Sequence, residues 1–216
     1  MAGLDKHGFA NNTLVIFSSD NGPEVPTVLS MRQDYKHDGA RPWRGVKRDN
    51  WEGGHRVPFI ARWPGKIKPG TRSSQTLSLT DLMATFAAIT NVKLPQEAGE
   101  DSVNMLPALI GSDEGKSIRK YTLHQTISLA LAIRRGPWKY LNHRGSGGNN
   151  YDRAGRWGMK KYIVPEKEPE APGQLYNLDT DPGETNNLYF KRSEIVKELK
   201  NKLEEFKRSG RSAPFS

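Results

Sequence analysis

The sequence predicts an α/β chain: a buried strand ending in a ligand-bearing turn, then a helix, then an antiparallel β region closed by a terminal helix. Three observations carry this. Thr13-Leu-Val-Ile-Phe-Ser18 is a continuous apolar run rich in β-branched residues, which reads as a strand buried on both faces, as in parallel sheets. Ala130–Arg134 and Trp138–Leu141 flank Arg135-Gly136-Pro137, which reads as a hairpin. Ile195, Leu199, Leu203 and Phe206 fall on one face of a closing helix.

Taken in order, the first strand stops at Ser19-Asp20-Asn21-Gly22-Pro23, a strong turn signal. Open α/β sheets place ligands just past the carboxyl ends of their strands. Residues 24 to 56 show no clear period and are crowded with Arg, Lys, His, Trp and Gly, so they are read as an irregular functional stretch. Val57 to Trp63 forms a second strand, closed by Pro64-Gly65. Thr80 is the expected N-cap of a helix in which Asp81, Leu82, Phe86 and Ile89 share a face, ending near Asn91. The polar stretch from Ser112 to Ser117 marks a boundary, dividing the chain into residues 1–115 and 116–216. Past the hairpin, residues 143 to 173 read as a long surface excursion and Leu175 to Leu178 as a short strand stopped by Asp181-Pro182-Gly183. The closing helix runs from about Glu194 to Arg208, with Ser193 as N-cap and Gly210 as its stop.

Composition bounds the chemistry. The 216 residues contain no cysteine, which excludes disulfides, thiolate metal sites and a cysteine nucleophile within the sequence. The net charge of +9 suits anionic partners, nucleic acid, anionic polysaccharide or a small anion, and does not choose among them. No apolar run is long enough to span a bilayer, so no membrane association is expected, and Met1 to Asn12 lacks the apolar core of a signal peptide. A nucleic-acid partner is not favoured, since no recognised binding motif is present and Trp43, Trp51 and Trp63 read as packing residues.

Asp20 and Asn21 offer two hard oxygen ligands suited to Ca²⁺ or Mg²⁺, and Asp-Asn-Gly is equally an ordinary turn. Lys47, in Trp43-Arg-Gly-Val-Lys-Arg-Asp-Asn-Trp-Glu-Gly-Gly-His-Arg-Val-Pro58, is a compact cation among glycines that let backbone approach closely. It can hold a tetrahedral oxyanion or stand as one charge of a solvated basic loop. Glu52 and His55 read as loop architecture rather than an acid–base pair.

In order and spacing these segments resemble the sulfatase family, with bacterial arylsulfatases nearest. The likeness continues through Leu79-Thr-Asp-Leu-Met-Ala-Thr-Phe86, Ala132-Ile-Arg-Arg-Gly-Pro-Trp-Lys-Tyr140 and Leu175-Tyr-Asn-Leu-Asp-Thr-Asp-Pro-Gly-Glu-Thr-Asn-Asn-Leu188. It implies the later part of an alkaline-phosphatase-like sulfatase sandwich to about residue 115, then a small C-terminal antiparallel sheet with the terminal helix. It also implies that Asp20 and Asn21 are the later ligands of a divalent cation, calcium, that Lys47 binds the sulfate group, and that His124 lines the substrate pocket. His124 also reads simply as a hydrogen-bonded strand residue.

The family's nucleophile motif, Cys or Ser followed by x-Pro-x-Arg, is absent; the one Ser-x-Pro, Ser212-Ala-Pro214, leads to Ser216. Formylglycine is therefore expected only in an N-terminal half, as a separate chain or upstream sequence, and these residues alone are expected to hydrolyse no sulfate ester. The alternatives are a catalytically inactive remnant and an anion- or nucleic-acid-binding module. The resemblance implies an exported or periplasmic full-length enzyme acting on sulfate esters, sulfated polysaccharide among them. Exposed apolar surface is expected where such a half would dock.

Overall fold

The computed structural model describes residues 1–151 and 159–214. In chain order its elements are α1 (Ala2–Lys6), β1 (Val15–Ser18), α2 (Val25–Tyr35), β2 (Phe59–Arg62), α3 (Leu82–Thr90), α4 (Leu106–Ile110), β3 (Thr122–Gln125), β4 (Leu131–Arg135), β5 (Trp138–Leu141), β6 (Gln174–Asn177) and α5 (Ser193–Ser209). They form two compact units. One comprises Met1–Ser19, Pro58–Lys120 and Ser209–Ser216; the other comprises Asp20–Val57 and Tyr121–Arg208.

In the first unit the expected strands form, but their pairing differs from the expectation. β1 runs antiparallel to β2, with Phe17 opposite Ile60, and the two make a two-stranded sheet. Phe17 is 62% exposed, so the strand is not buried on both faces. A two-stranded ribbon has no neighbours to cover its faces, and antiparallel pairing needs no crossover helix. The helix at 82–90 ends in a left-handed Asn91, φ 55°, as its sequence suggests. Its N-cap is Asp81 rather than Thr80, and the short 3-10 turn Leu79–Asp81 that leads into it carries a capping box formed by Ser78 and Asp81. Buried Asp81 also accepts from the Val103 amide at 2.9 Å and pairs with the buried guanidinium of Arg119. Among the described residues this unit buries three apolar side chains, Ala10, Met105 and Ala213. A polar hub stands where a hydrophobic core would be.

The second unit is built on the antiparallel sheet β3-β4-β5-β6. Gly136 opens the two-residue β4–β5 turn with φ 54°, the conformation such hairpins favour. Leu123, Ile133, Tyr140 and Leu175 form one rung across the four strands. Ile133, Tyr140 and Leu175 pack with Val196, Leu199 and Leu203 of α5 in the main core. Ile195 and Phe206 flank that stripe, Val196 taking the buried place, and Ser193 is the helix's first residue. Because strand side chains alternate, His124, Ala132, Arg134, Lys139, Leu141, Gln174 and Tyr176 occupy the other face. That face packs on Trp51.

The irregular stretch 24–56 contains a helix the sequence did not announce. α2 starts with Glu24 accepting from the Val25 amide and a Pro in its first turn. It buries only Val25 and Val28, so no apolar stripe marks it. Of the excursion at 143–173, residues 152–158 lie outside the described residues, while Ser146, Met159 and Ala171 are buried.

Candidate functional site

The sequence-predicted residues Asp20, Asn21, Lys47 and His124 all belong to the second unit. The Lys47 loop owes its shape to three glycines. Gly45 adopts φ 89°, and a Cβ on Gly53 would meet the Gly45 carbonyl oxygen at 2.4 Å. The Gly53 amide donates to the Arg44 carbonyl at 2.7 Å, closing the loop on itself. Asp49, buried, accepts from the Val46 amide at 2.9 Å and from the Asn149 side chain at 2.8 Å. Burial pushes its carboxyl upward, opposed by these bonds and one from Tyr151. Asn50 donates to the Ala130 carbonyl and Trp51 to Gln174, each across more than 75 residues of chain.

Two backbone hydrogen bonds join this loop to the turn carrying Asp20 and Asn21. The Gly22 amide donates to the Gly54 carbonyl at 2.9 Å, and the Lys47 amide to the Pro23 carbonyl at 3.0 Å. The approach is so close that a Cβ on Gly22 would sit 1.9 Å from the Gly53 carbonyl oxygen. Asp20 is exposed, and Asn21 donates from its amide nitrogen to the Gly22 carbonyl. The Lys47 ammonium is half-exposed, 3.5 Å from Glu24. Arg48 grips the same Glu24 with two hydrogen bonds, 2.6 and 2.9 Å, and holds its carboxyl down at about 2. Lys47 therefore stands beside a carboxylate that Arg48 favours in its charged form, and a sulfate-sized anion reaching it competes with that carboxylate.

A divalent cation is the group the sequence resemblance implies. Asp20 and Asn21 are hard-oxygen residues of the right chemistry, adjacent and at the surface side of the turn. Calcium takes six to eight oxygens, and among the described residues no group of three or more His, Cys, Asp or Glu gathers to hold a metal. The pair fits part of a coordination shell.

Behind the loop lies a cluster the sequence did not disclose. Lys139, wholly buried on β5, sends its ammonium 3.0 Å from Glu52, 3.2 Å from Glu184 and 3.0 Å from the His55 ring. Glu52 also receives Arg134 at 3.1 Å and Arg56 at 3.2 Å, and its amide donates to Glu184 at 2.7 Å. Burial alone would raise the Glu52 carboxyl; Lys139, His55 and Arg134 outweigh it and hold it well below the usual carboxylate range. Glu184 goes the other way. Burial, with Glu52 nearby, pushes it up to about 7 against the pull of Lys139. His55 is lowered well below its ordinary value by burial, then by His124 and Lys139. His124, on β3, stacks on His55 with ring centroids 3.6 Å apart. Glu52 and His55 are thus loop architecture, while Lys139 carried no signal beyond falling in register on the inward face of β5.

The sulfatase family model matches residues 1–92. An N-acetylgalactosamine-6-O-sulfatase of Bacteroides thetaiotaomicron is 35% identical over 207 residues, covering 94% of this chain and 38% of that protein. Arylsulfatase A of Bos taurus is 33% identical over 204 residues, 92% of this chain and 38% of its own length. A solved sulfatase described in the metabolism of multiple glycosaminoglycans by Bacteroides thetaiotaomicron is 33% identical. It covers 96% of this chain and 41% of the solved one, with a TM-score of 0.79. The chain thus spans about two fifths of the length of the curated relatives it matches. The fold is the alkaline-phosphatase-like fold of these enzymes, the match is consistent with a C-terminal portion of one, and the chain belongs to the sulfatase family.

Proposed function

We propose that this chain supplies part of the active site of an arylsulfatase-type sulfuric ester hydrolase acting on sulfated polysaccharide. Lys47 binds the sulfate group, Asp20 and Asn21 are two ligands of a calcium ion, and His124 lines the substrate pocket. The observation that carries this reading is the pair of backbone hydrogen bonds holding the Lys47 loop against the Asp20-Asn21 turn. The net charge of +9 supports an anionic polymer as substrate, as do the name of the N-acetylgalactosamine-6-O-sulfatase relative and the glycosaminoglycan setting of the solved one.

In this reading a bound cation stabilises negative charge on the sulfate oxygens. Lys47 does the same from the protein side, as a preorganised cation whose backbone is fixed before substrate arrives. Formylglycine and the remaining ligands come from an N-terminal half, a separate chain or upstream sequence, because neither Cys nor Ser-x-Pro-x-Arg occurs here. The full-length enzyme is exported or periplasmic, and the 216 residues alone are inactive.

Calorimetric titration of the purified chain with N-acetylgalactosamine 6-sulfate in calcium tests the site. Binding is expected, and its loss is expected in Lys47→Ala and in Asp20→Ala with circular dichroism unchanged. Binding that survives both substitutions removes the assignment. Turnover of 4-nitrophenyl sulfate by the chain alone, abolished by Lys47→Ala, overturns its inactivity. The Lys47–Glu24 pair favours a second reading, a catalytically inactive remnant whose lysine is internally satisfied. That reading requires no sulfate binding in the parent chain and its appearance in Glu24→Gln.

A further inference from the structure

In the second unit, α5 separates its charges. At about 100° of turn per residue, Lys197, Lys200, Lys207 and Arg208 fall to one side of its apolar stripe, and Glu194, Glu198 and Glu205 to the other. Glu204 shares the basic side and is held by Lys207 at 2.8 Å. On the acidic side Lys202 pairs with Glu205 at 2.6 Å, and Glu198 receives Arg135. Lys197 and Lys200 are exposed, and among the described residues neither ammonium is paired with a carboxylate. These two lysines line an open groove of about 410 Å³ together with Tyr189, Phe190, Ser193 and Asn201. Tyr189 packs on the main core. The Phe190 ring meets it edge-on, centroids 5.3 Å apart, and is left 53% exposed, so the aromatic wall of the groove is anchored from beneath.

One exposed aromatic ring is ordinary on a protein surface. A ring anchored beside two cations that lack carboxylates of their own offers an apolar face and uncompensated positive charge together, which is what a charged sugar ring presents in complement. A cleft lined by one sign of charge also concentrates ligands of the other sign. The groove is separate from the Lys47 loop. α5 covers the sheet face bearing Ile133, Tyr140 and Leu175, whereas Trp51, four residues after Lys47, packs on the opposite face. Packed layers sit about 10 Å apart, so one sulfated sugar does not reach both. We infer that this groove holds an anionic polysaccharide chain, one sugar ring on Phe190 and its sulfate or carboxylate groups on Lys197 and Lys200, as a second site for the polymer. The choice of a sugar polymer rests on the functional reading above. The groove's one exposed ring supports it over single-stranded nucleic acid, whose sites stack successive bases on successive rings.

The test is calorimetric titration of the full 216-residue chain with chondroitin 6-sulfate chains, with N-acetylgalactosamine 6-sulfate and with single-stranded oligothymidylate. The polymer is expected to bind more tightly than the monosaccharide. Lys197→Ala with Lys200→Ala, or Phe190→Ala alone, should weaken the polymer about tenfold and leave the monosaccharide unchanged. Lys116→Ala removes a charge from an exposed position in the first unit and should leave polymer binding unchanged. All four positions are exposed, and unaltered thermal unfolding checks that the variants fold. No polymer binding, polymer binding indifferent to the groove substitutions, a loss matched by Lys116→Ala, or oligothymidylate held as tightly in the same groove overturns the inference. Polymer held at the groove by a chain that binds no monosaccharide leaves it standing and removes the functional reading. Monosaccharide binding lost in Lys47→Ala, beside polymer binding untouched by the groove substitutions, does the reverse.

Discussion

Replacing Glu184 by Gln separates the cost of a buried charge from everything else in the cluster. Glu184 is fully buried, and burial outweighs the pull of Lys139 at 3.2 Å, so its carboxyl rises to about 7. The usual value is 4.5. Between those two pH values the folded protein holds a proton that the unfolded chain has released, so stability falls as pH rises. One proton is worth about 1.4 kcal/mol per pH unit, and the window as a whole is worth about 3 kcal/mol. His55 works in the opposite sense, because its lowered value makes stability rise with pH up to about 6.5. Glu52, held low, contributes stability that is lost only below the ordinary carboxylate range. The parent profile therefore sums slopes of opposite sign. The difference profile isolates one of them: Gln keeps an acceptor for the Glu52 amide and does not titrate. Urea unfolding of parent and Glu184→Gln at pH 5, 6, 7 and 8, followed through tryptophan fluorescence, should show the variant gaining on the parent by about 3 kcal/mol across the window. The gain should level off above pH 7. A flat difference, or a parent that gains on the variant with rising pH, would refute the assignment of a raised carboxyl to Glu184.

Gly22→Ala forces its new methyl against the Gly53 carbonyl oxygen, 1.9 Å away, and should cost about 3 kcal/mol by overpacking. Sulfate-ester binding should weaken more than tenfold, measured by calorimetry beside thermal unfolding. Glu24→Gln removes the carboxylate that competes for Lys47; a half-exposed pair is worth about 0–1 kcal/mol, so sulfate affinity should rise no more than about fivefold. Arg119→Met leaves the buried Asp81 carboxylate without its cation and should destabilise by about 3–5 kcal/mol, read as a drop in the unfolding midpoint.

The sequence disclosed those parts of the fold that depend on local signals. The β4–β5 hairpin follows from Gly136-Pro137, and α5 follows from a regular stripe. Asn91 ends α3 because it tolerates the left-handed conformation. α2 was hidden because Val25, Pro26, Thr27 and Val28 are poor helix formers and only two of its residues are buried. It forms through tertiary packing with Val46 and Met159, which no local window contains. Partner choice for the first strand was hidden for a similar reason: an apolar run states that a strand is wanted, not which strand lies beside it. At the candidate site, motif order located Asp20, Asn21 and Lys47, and the structure places them on segments hydrogen-bonded to one another. Lys139 was invisible, since lysine is almost never fully buried unless paired, and its carboxylate partners lie 87 and 45 residues away.

The Lys139 cluster also bears on why a loop with so little apolar substance can be held in one place. Glycines at 45, 53 and 54 let the loop fold closely on itself, Gly22 lets the Asp20 turn pass close to it, and they leave few side chains with which to bury the loop. Trp51 provides one apolar anchor, against Tyr176 and Leu141, but a single contact of that kind does not fix register. Hydrogen bonds and charges are directional and do. Glu52 meets Lys139 and Arg134 from adjacent strands, and its own amide meets Glu184, so one residue is tied in place by both its side chain and its backbone. A slip of one residue along β5 would put Lys139 on the α5 face, against Leu199 and Leu203 and away from Glu52 and Glu184. Charge burial costs stability that apolar residues of equal volume would return. Here that cost goes with the position of a loop, and Lys47, five residues before Glu52, shares it.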